Sequence, residues 1–385
     1  MENKYISKRY WSEPDNAMAE CDVMAKTFDD VINLSLGDPD LTTDKRIIDA
    51  AYEAMLAGHT GYSDFQGDPE LRDEIRKFYK EEYDMDIRDE EIMISSSATV
   101  AMYLAFEAIL DDGDEVILQA PFFSPYPHQV VQARGVPVEL GTYEEEDFQV
   151  SIERLESLIT DKTRAIVINT PNNPTGSCLT LETMQGIARI AEKYDLIVIA
   201  DDIYTDYSYE NPFIPFASLP GMFPRTITLN SFSKGFNMTG WRVGHIVAPE
   251  YFIKTIQRIN DGVCFTTPTM SQRAAIYALQ HRREIQPPIV EEYKARVTYA
   301  ARRINQIPGW HVIEPPKGTF YLFPSIKGTG LSSQEVVTKV LQEAHVLALP
   351  GETFGACGAG HIRIACTTKI DVLKEAFDRI DKLDW

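Results

Sequence analysis

The chain has 385 residues, 44% of them hydrophobic and 25% charged, a globular composition with material for a large core that excludes fibrous and disordered classes. Its 37 basic and 58 acidic residues leave a net charge of −21, which repels phosphate backbones and anionic membrane surfaces and argues against nucleic acid or membrane as partners. Five scattered cysteines (Cys21, Cys178, Cys264, Cys357 and Cys366) show no CxxC spacing, which points to neither a zinc site nor a disulfide framework and fits a reducing compartment.

The opening MENKYISKRYWSEPDN places no apolar run behind its basic residues, and no uncharged stretch approaches the ~18 residues that span a bilayer. A soluble, cytoplasmic protein is expected. Residues 1–40 have little periodicity and read as an arm packing with a small C-terminal domain. From 41 to 284, short β-branched runs alternate with helical periodicity. The runs EIMISS (91–96), EVILQA (115–120), AIVINT (165–170), LIVIA (196–200), TITLN (226–230) and VGHIVA (243–248) are nearly continuous in apolar residues, as strands buried on both faces are. Between two of them LETMQGIARIAEKY sets Leu181, Met184, Ile187, Ala191 and Tyr194 on one helical face. This alternation predicts an α/β fold, a large domain with a mostly parallel sheet between helices.

After about residue 285 the pattern changes. A charged helix (EEYKARVTYAARRINQI) leads to strands GWHVIEP and GTFYLFPSI, a helix SQEVVTKVLQEA, a strand HIRIACT and a final helix. Mixed strands and helices predict a smaller α+β domain over 285–385.

Ligands of open α/β sheets bind beyond the carboxyl ends of the strands, so the loops there are where chemistry is sought. TITLN runs into Ser231, Ser233 and Lys234, then Arg242: two hydroxyls, an amine and a guanidinium able to cradle a phosphate and supply a nucleophile. AIVINT ends in Pro171-Asn172-Asn173-Pro174-Thr175-Gly176, and LIVIA in Asp201-Asp202-Ile203-Tyr204. Taken singly, Asn173 reads as a turn residue, Asp201 and Asp202 as helix caps, and Phe123 as core. Arg363 on the apolar strand HIRIACT must meet either a structural carboxylate or a ligand, because an unpaired buried charge is costly.

Together these residues resemble the class I/II aminotransferases of fold type I, which depend on pyridoxal phosphate. SFSKGFNMTGWRVG matches the attachment motif S-x-S-K-x5-G-x-R-x-G at every defining position. LGDPD (36–40), YSDFQGDPELR (62–72), NNPTG (172–176), ADDIY (200–204), PKGTFY (316–321), PGETFG (350–355) and HIRIA (361–365) follow in the family's order over nearly the whole chain.

The resemblance implies a role for each position. Lys234 would hold the cofactor covalently and exchange the substrate Cα proton, with Asp201 pairing the pyridine nitrogen. Asn173 and Tyr204 would donate to the cofactor's phenolate oxygen. Ser231, Ser233, Arg242 and the backbone amides of Ser97, Ala98 and Thr99 would bind its phosphate, and Phe123 would stack on its ring. Arg363 would clamp the substrate α-carboxylate, with Gly37 and Asn173 beside it. Tyr62 would reach the phosphate of a neighbouring subunit, which implies a homodimer with shared sites.

The activity so implied is ping-pong transfer of an amino group between an L-amino acid and a 2-keto acid such as 2-oxoglutarate. Thr99 stands where one aspartate-specific subgroup has a lysine, which argues against dedicated aspartate specificity. The aromatic surrounding of Phe122, Phe123, Tyr126 and Phe265 points to aromatic or broad-range donors, although such residues are more often core, so aspartate stays open. The alternatives are a C–S β-lyase on the same fold, a non-catalytic cofactor-binding regulator and an interaction protein.

Overall fold

The computed structural model describes residues 4–7 and 23–385, so the parts of the N-terminal arm at 1–3 and 8–22, Cys21 among them, lie outside the described residues. In chain order the strands are β1 (Ile32–Asn33), β2 (Ile92–Ser95), β3 (Glu115–Ala120), β4 (Val136–Gly141), β5 (Thr163–Asn169), β6 (Ile197–Asp201), β7 (Thr226–Ser231), β8 (Gly244–Val247), β9 (Tyr321–Leu322), β10 (Val346–Leu347), β11 (Leu349–Pro350) and β12 (Ile362–Ala365).

Seven of them form one sheet in the order β2-β8-β7-β6-β5-β3-β4. The apolar runs sit where double burial requires them, with Ile166, Val198, Ile199, Ile227 and Leu229 in clusters on either face. Strands β3 to β7 pair in parallel, while β8 runs antiparallel to both β7 and β2. VGHIVA is apolar enough for a parallel strand. Its direction is set instead by residues 232–243, which turn back compactly without the crossover helix a parallel connection needs. Strand β4 is a second difference. VPVELG lies at the sheet edge with Val136 exposed and Pro137 tolerated, so it carries no double-buried signature.

In the C-terminal third, β11-β12-β9 form an antiparallel sheet, and β1 pairs in parallel with β10. GWHVIEP forms no strand: His311 bridges Ser325, and Pro315 and Pro316 then remove donors from any ladder. The charged helix begins earlier than its sequence suggests, at Arg282, and runs to Ile304 through Pro287 and Pro288. Tertiary packing overrides the proline penalty there. Ile285, Ile289 and Tyr293 from its first half join the core beneath the large sheet, whereas Val297, Ala300, Ala301 and Ile304 join a second core with Leu34, Val336 and Phe377. Among the described residues no helix is long and apolar enough to cross a membrane.

Candidate active site

Strands β5, β6 and β7 lie side by side, so their carboxyl ends bring Asn169, Asp201 and Ser231 to one edge of the sheet. A cavity of about 360 Å³ opens there. Gly37, Ser97, Ala98, Thr99, Phe123, Asn173, Asp201, Tyr204, Ser231, Ser233, Lys234, Arg242 and Arg363 all line it. Tyr62 does not: it is 83% exposed, its ring edge-on to Phe265 at 4.9 Å. Asp202 is buried but also lies outside the cavity lining.

Lys234 rides on a single helical turn, Phe232–Gly235, whose cap is Ser231: its hydroxyl accepts the Ser233 N–H at 3.1 Å. The lysine Nζ donates to the Gly37 carbonyl at 2.6 Å and stands 5.8 Å over the Phe320 ring. Burial pulls its pKa below the ordinary lysine value, and Arg363 and Arg242 push the same way against Tyr321 and Asp38. An amine so placed can give up its proton and act as nucleophile or base.

Asp201 ends β6 beneath the same cavity. Burial pushes its carboxyl up to about 6, opposed by hydrogen bonds from the Tyr126 hydroxyl to Oδ2 and, at 3.3 Å, from the Ile203 N–H to Oδ1. A cationic ring nitrogen facing it would favour the ionised form. Asn169 ties this end of the sheet together, its Nδ2 donating to the Asp201 carbonyl and its Oδ1 accepting the Asn173 N–H, both at 2.8 Å.

On one side the lining is an anion cradle. The helix Ala98–Ile109 starts from Ser97, whose φ of 94° turns the backbone into its first turn, and Thr99 is exposed to the cavity. A Cβ on Gly244 would lie 2.6 Å from the Asn230 carbonyl and 3.1 Å from the Ala98 nitrogen, so glycine is what lets β8 approach the helix end. Ser231 and Ser233 hydroxyls lie 2.8 Å apart, and Arg242, with φ of 51°, donates to the Thr239 carbonyl at 2.7 Å. Free N–H groups, hydroxyls and a guanidinium form a donor set suited to a phosphate.

Arg363 comes from β12 on the opposite wall, buried to 6% exposure. It donates to the Asn173 Oδ1 at 3.1 Å and to the Ser35 carbonyl, lies between the Tyr321 and Phe354 rings, and leaves Nε without a partner among the described residues. Among the described residues no carboxylate pairs with it. The alternative of a structural ion pair is therefore not realised, and a ligand carboxylate is the counter-charge this pocket suits.

The pattern of the family described as Aminotransferase class I and II matches residues 29–380. Aromatic-amino-acid aminotransferase 2 of Thermococcus litoralis is 39% identical over 94% of this chain and 93% of its own length. Aspartate aminotransferase of Pyrococcus abyssi is 40% identical over 92% of each. The chain belongs to the class I and II aminotransferases.

Among solved structures, a single mutant of Thermus thermophilus aspartate aminotransferase superposes with a TM-score of 0.93 at 30% identity, covering 99% of this chain and all of that one. The architecture of this aminotransferase is accordingly fold type I. Several of its cavity residues escaped the sequence reading: Asn169 looked like strand, Tyr126 like core, Ser35 stood just before a recognised motif, and Tyr321 and Phe354 stood inside such motifs with no evident role. Tyr126 had one usable signal, its place three residues past Phe123, where the segment after β3 enters the helix Pro125–Gln132.

Proposed function

We propose that this aminotransferase holds pyridoxal 5′-phosphate in the 360 Å³ cavity and transfers amino groups from aromatic or broad-range L-amino acids to a 2-keto acid such as 2-oxoglutarate. The observation that carries the reading is Arg363, a buried guanidinium without a carboxylate partner among the described residues, opening on the cavity that holds Lys234. Lys234, Asp201 and the cradle of Ser97, Ala98, Thr99, Ser231, Ser233 and Arg242 would hold the cofactor, with Phe123 against its ring and Asn173 and Tyr204 at its phenolic oxygen. When bound, the cofactor supplies a sink for the electrons of the substrate's Cα–H bond.

The protein's own residues do the rest. Arg363 fixes the α-carboxylate, which points the Cα–H bond toward one wall, and Asn173 holds the guanidinium in place. Lys234, whose burial favours the neutral amine, takes the Cα proton at Nζ and would deliver it to the cofactor rather than back to Cα, as net transfer of the amino group requires. Amino acid and keto acid share the α-carboxylate, so the two can use one clamp in turn, which is the structural basis of a ping-pong order.

Thr99 supports the substrate class. The cations Lys234, Arg242 and Arg363 are each engaged by this reading, and a neutral threonine offers no charge to a second substrate carboxylate. One relative is named for aromatic amino acids and another for aspartate, which keeps both donors in view. A homodimer in which Tyr62 meets the partner's site, a cytoplasmic location, and a division into 1–40, 41–284 and 285–385 complete the reading. The two cores support that division, with the helix Arg282–Ile304 shared between them.

A panel of L-amino acids with 2-oxoglutarate tests the function: phenylalanine, tyrosine or a wider set should yield glutamate. Release of pyruvate and ammonia from cystathionine without an acceptor acid, and no glutamate, would overturn it in favour of a lyase. A second expectation concerns Asp201→Ala. It should still bind the cofactor, seen as retained visible absorbance, yet lose at least about 100-fold in kcat, the scale on which one electrostatic partner of a reacting group acts. Near-wild-type turnover would contradict the assignment.

A further inference from the structure

Tyr321 on β9 touches three parts of the site at once and has no part in the function proposed above. Its ring lies 4.7 Å from the Arg363 guanidinium carbon, with Phe354 on the guanidinium at 4.6 Å. Its hydroxyl meets the Tyr204 hydroxyl at 3.3 Å. The same oxygen stands 1.6 Å from where a Cβ on residue 37 would be, so it packs onto Gly37, whose carbonyl takes the Lys234 amine at 2.6 Å. The residue is 3% exposed and sits edge-on to Tyr204, with ring centroids 5.9 Å apart at 81°.

We propose that Tyr321 is a positioning residue with two separable actions: its ring holds Arg363 flat for the substrate carboxylate, and its hydroxyl donates to Tyr204, directing the Tyr204 proton into the cavity. The proposal rests on the roles of Arg363 and Tyr204 given above. A guanidinium removed from water gains from an aromatic face and from the fixed plane that face imposes, which keeps its fork aligned for a bidentate partner. The hydroxyl action follows from proton economy between two phenols. In the structure Tyr204 donates to Tyr321. Hydroxyl protons rotate, and an anionic oxygen in the cavity would draw the Tyr204 proton to itself, leaving the Tyr321 proton to close the bond between the phenols. Hydrogen bonds in series strengthen one another, so Tyr204 becomes the better donor.

The two actions come apart in two variants of the cofactor-loaded enzyme. Tyr321→Phe keeps the ring and removes the hydroxyl; Tyr321→Leu removes both. For Tyr321→Phe, the Kd of the non-reacting carboxylate 3-phenylpropionate should stay within about twofold, while kcat falls about fivefold, the scale of one lost hydrogen bond. The pH midpoint of the bound cofactor's visible absorbance should move up, because a weaker Tyr204 donor stabilises the anionic oxygen less. For Tyr321→Leu, the same Kd should weaken about tenfold as the cation loses its aromatic face.

An unchanged Kd in Tyr321→Leu, or an unchanged absorbance midpoint in Tyr321→Phe, overturns the proposal. Should Tyr321→Leu fail to fold, the midpoint and kcat of Tyr321→Phe decide. Arg363→Lys is measured alongside to separate causes: if it binds 3-phenylpropionate as wild type does, the clamp assignment has failed and the proposal falls with it. If Arg363→Lys weakens binding and Tyr321→Leu does not, Tyr321 alone has been misread.

Discussion

Replacing Lys234 with alanine should abolish amino transfer, with turnover falling at least about 1,000-fold and the visible absorbance of the covalently held cofactor disappearing. Among the described residues Lys234 is the one lysine lining the cavity, and its neighbours lower its pKa by burying it, so no second amine can take over its attachment and proton-transfer roles. The fold should survive. The ammonium contributes a hydrogen bond to the Gly37 carbonyl, and burial already works against its charge, so removing it relieves a desolvation cost while losing that bond. Borohydride reduction followed by peptide mapping checks the assignment independently of rate. A cofactor trapped on another lysine, or activity retained by Lys234→Ala, would refute it.

The second large effect belongs to Arg363→Lys. Lysine keeps the positive charge but presents a point donor where arginine presents a planar fork. The cofactor should remain bound, since Arg363 stands on the β12 wall and takes no part in the phosphate cradle. A charge-assisted contact contributes on the order of 1.5–3 kcal/mol, so kcat/KM for amino acids should drop at least about tenfold, through weaker binding and a misdirected Cα–H bond. Amines without a carboxylate never use the clamp and should be affected much less. A purely structural role would lower thermal stability and reduce all substrates alike. The ratio of amino-acid to amine turnover in this variant, read beside its thermal midpoint, separates the two, and an unchanged ratio rejects the clamp.

Both expectations were within reach of sequence because the residues concerned sit in long motifs. A lysine behind two serines is ordinary, but Ser231, Ser233, Lys234, Gly240, Arg242 and Gly244 at fixed spacing are not, and the structure brings four of those positions to one cavity. The nearly continuous apolar strands were legible for a simple physical reason. A strand buried on both faces is nearly continuous in apolar residues, and EVILQA forms β3 over Glu115–Ala120 without a residue gained or lost.

What the sequence by itself determined is thus the inventory: α/β alternation, the strands of the sheet interior, the family and the residue types at the site. Tertiary structure alone decided how they meet. Strand β8 reverses because residues 232–243 turn back without a crossover helix, and the helix Arg282–Ile304 continues past two prolines because its buried face joins two cores. The Tyr204–Tyr321 contact joins residues 117 apart in the chain, and Arg363 meets Ser35 across 328. Such contacts leave no periodic trace, since periodicity records which face of an element is buried and says nothing of which distant partner buries it.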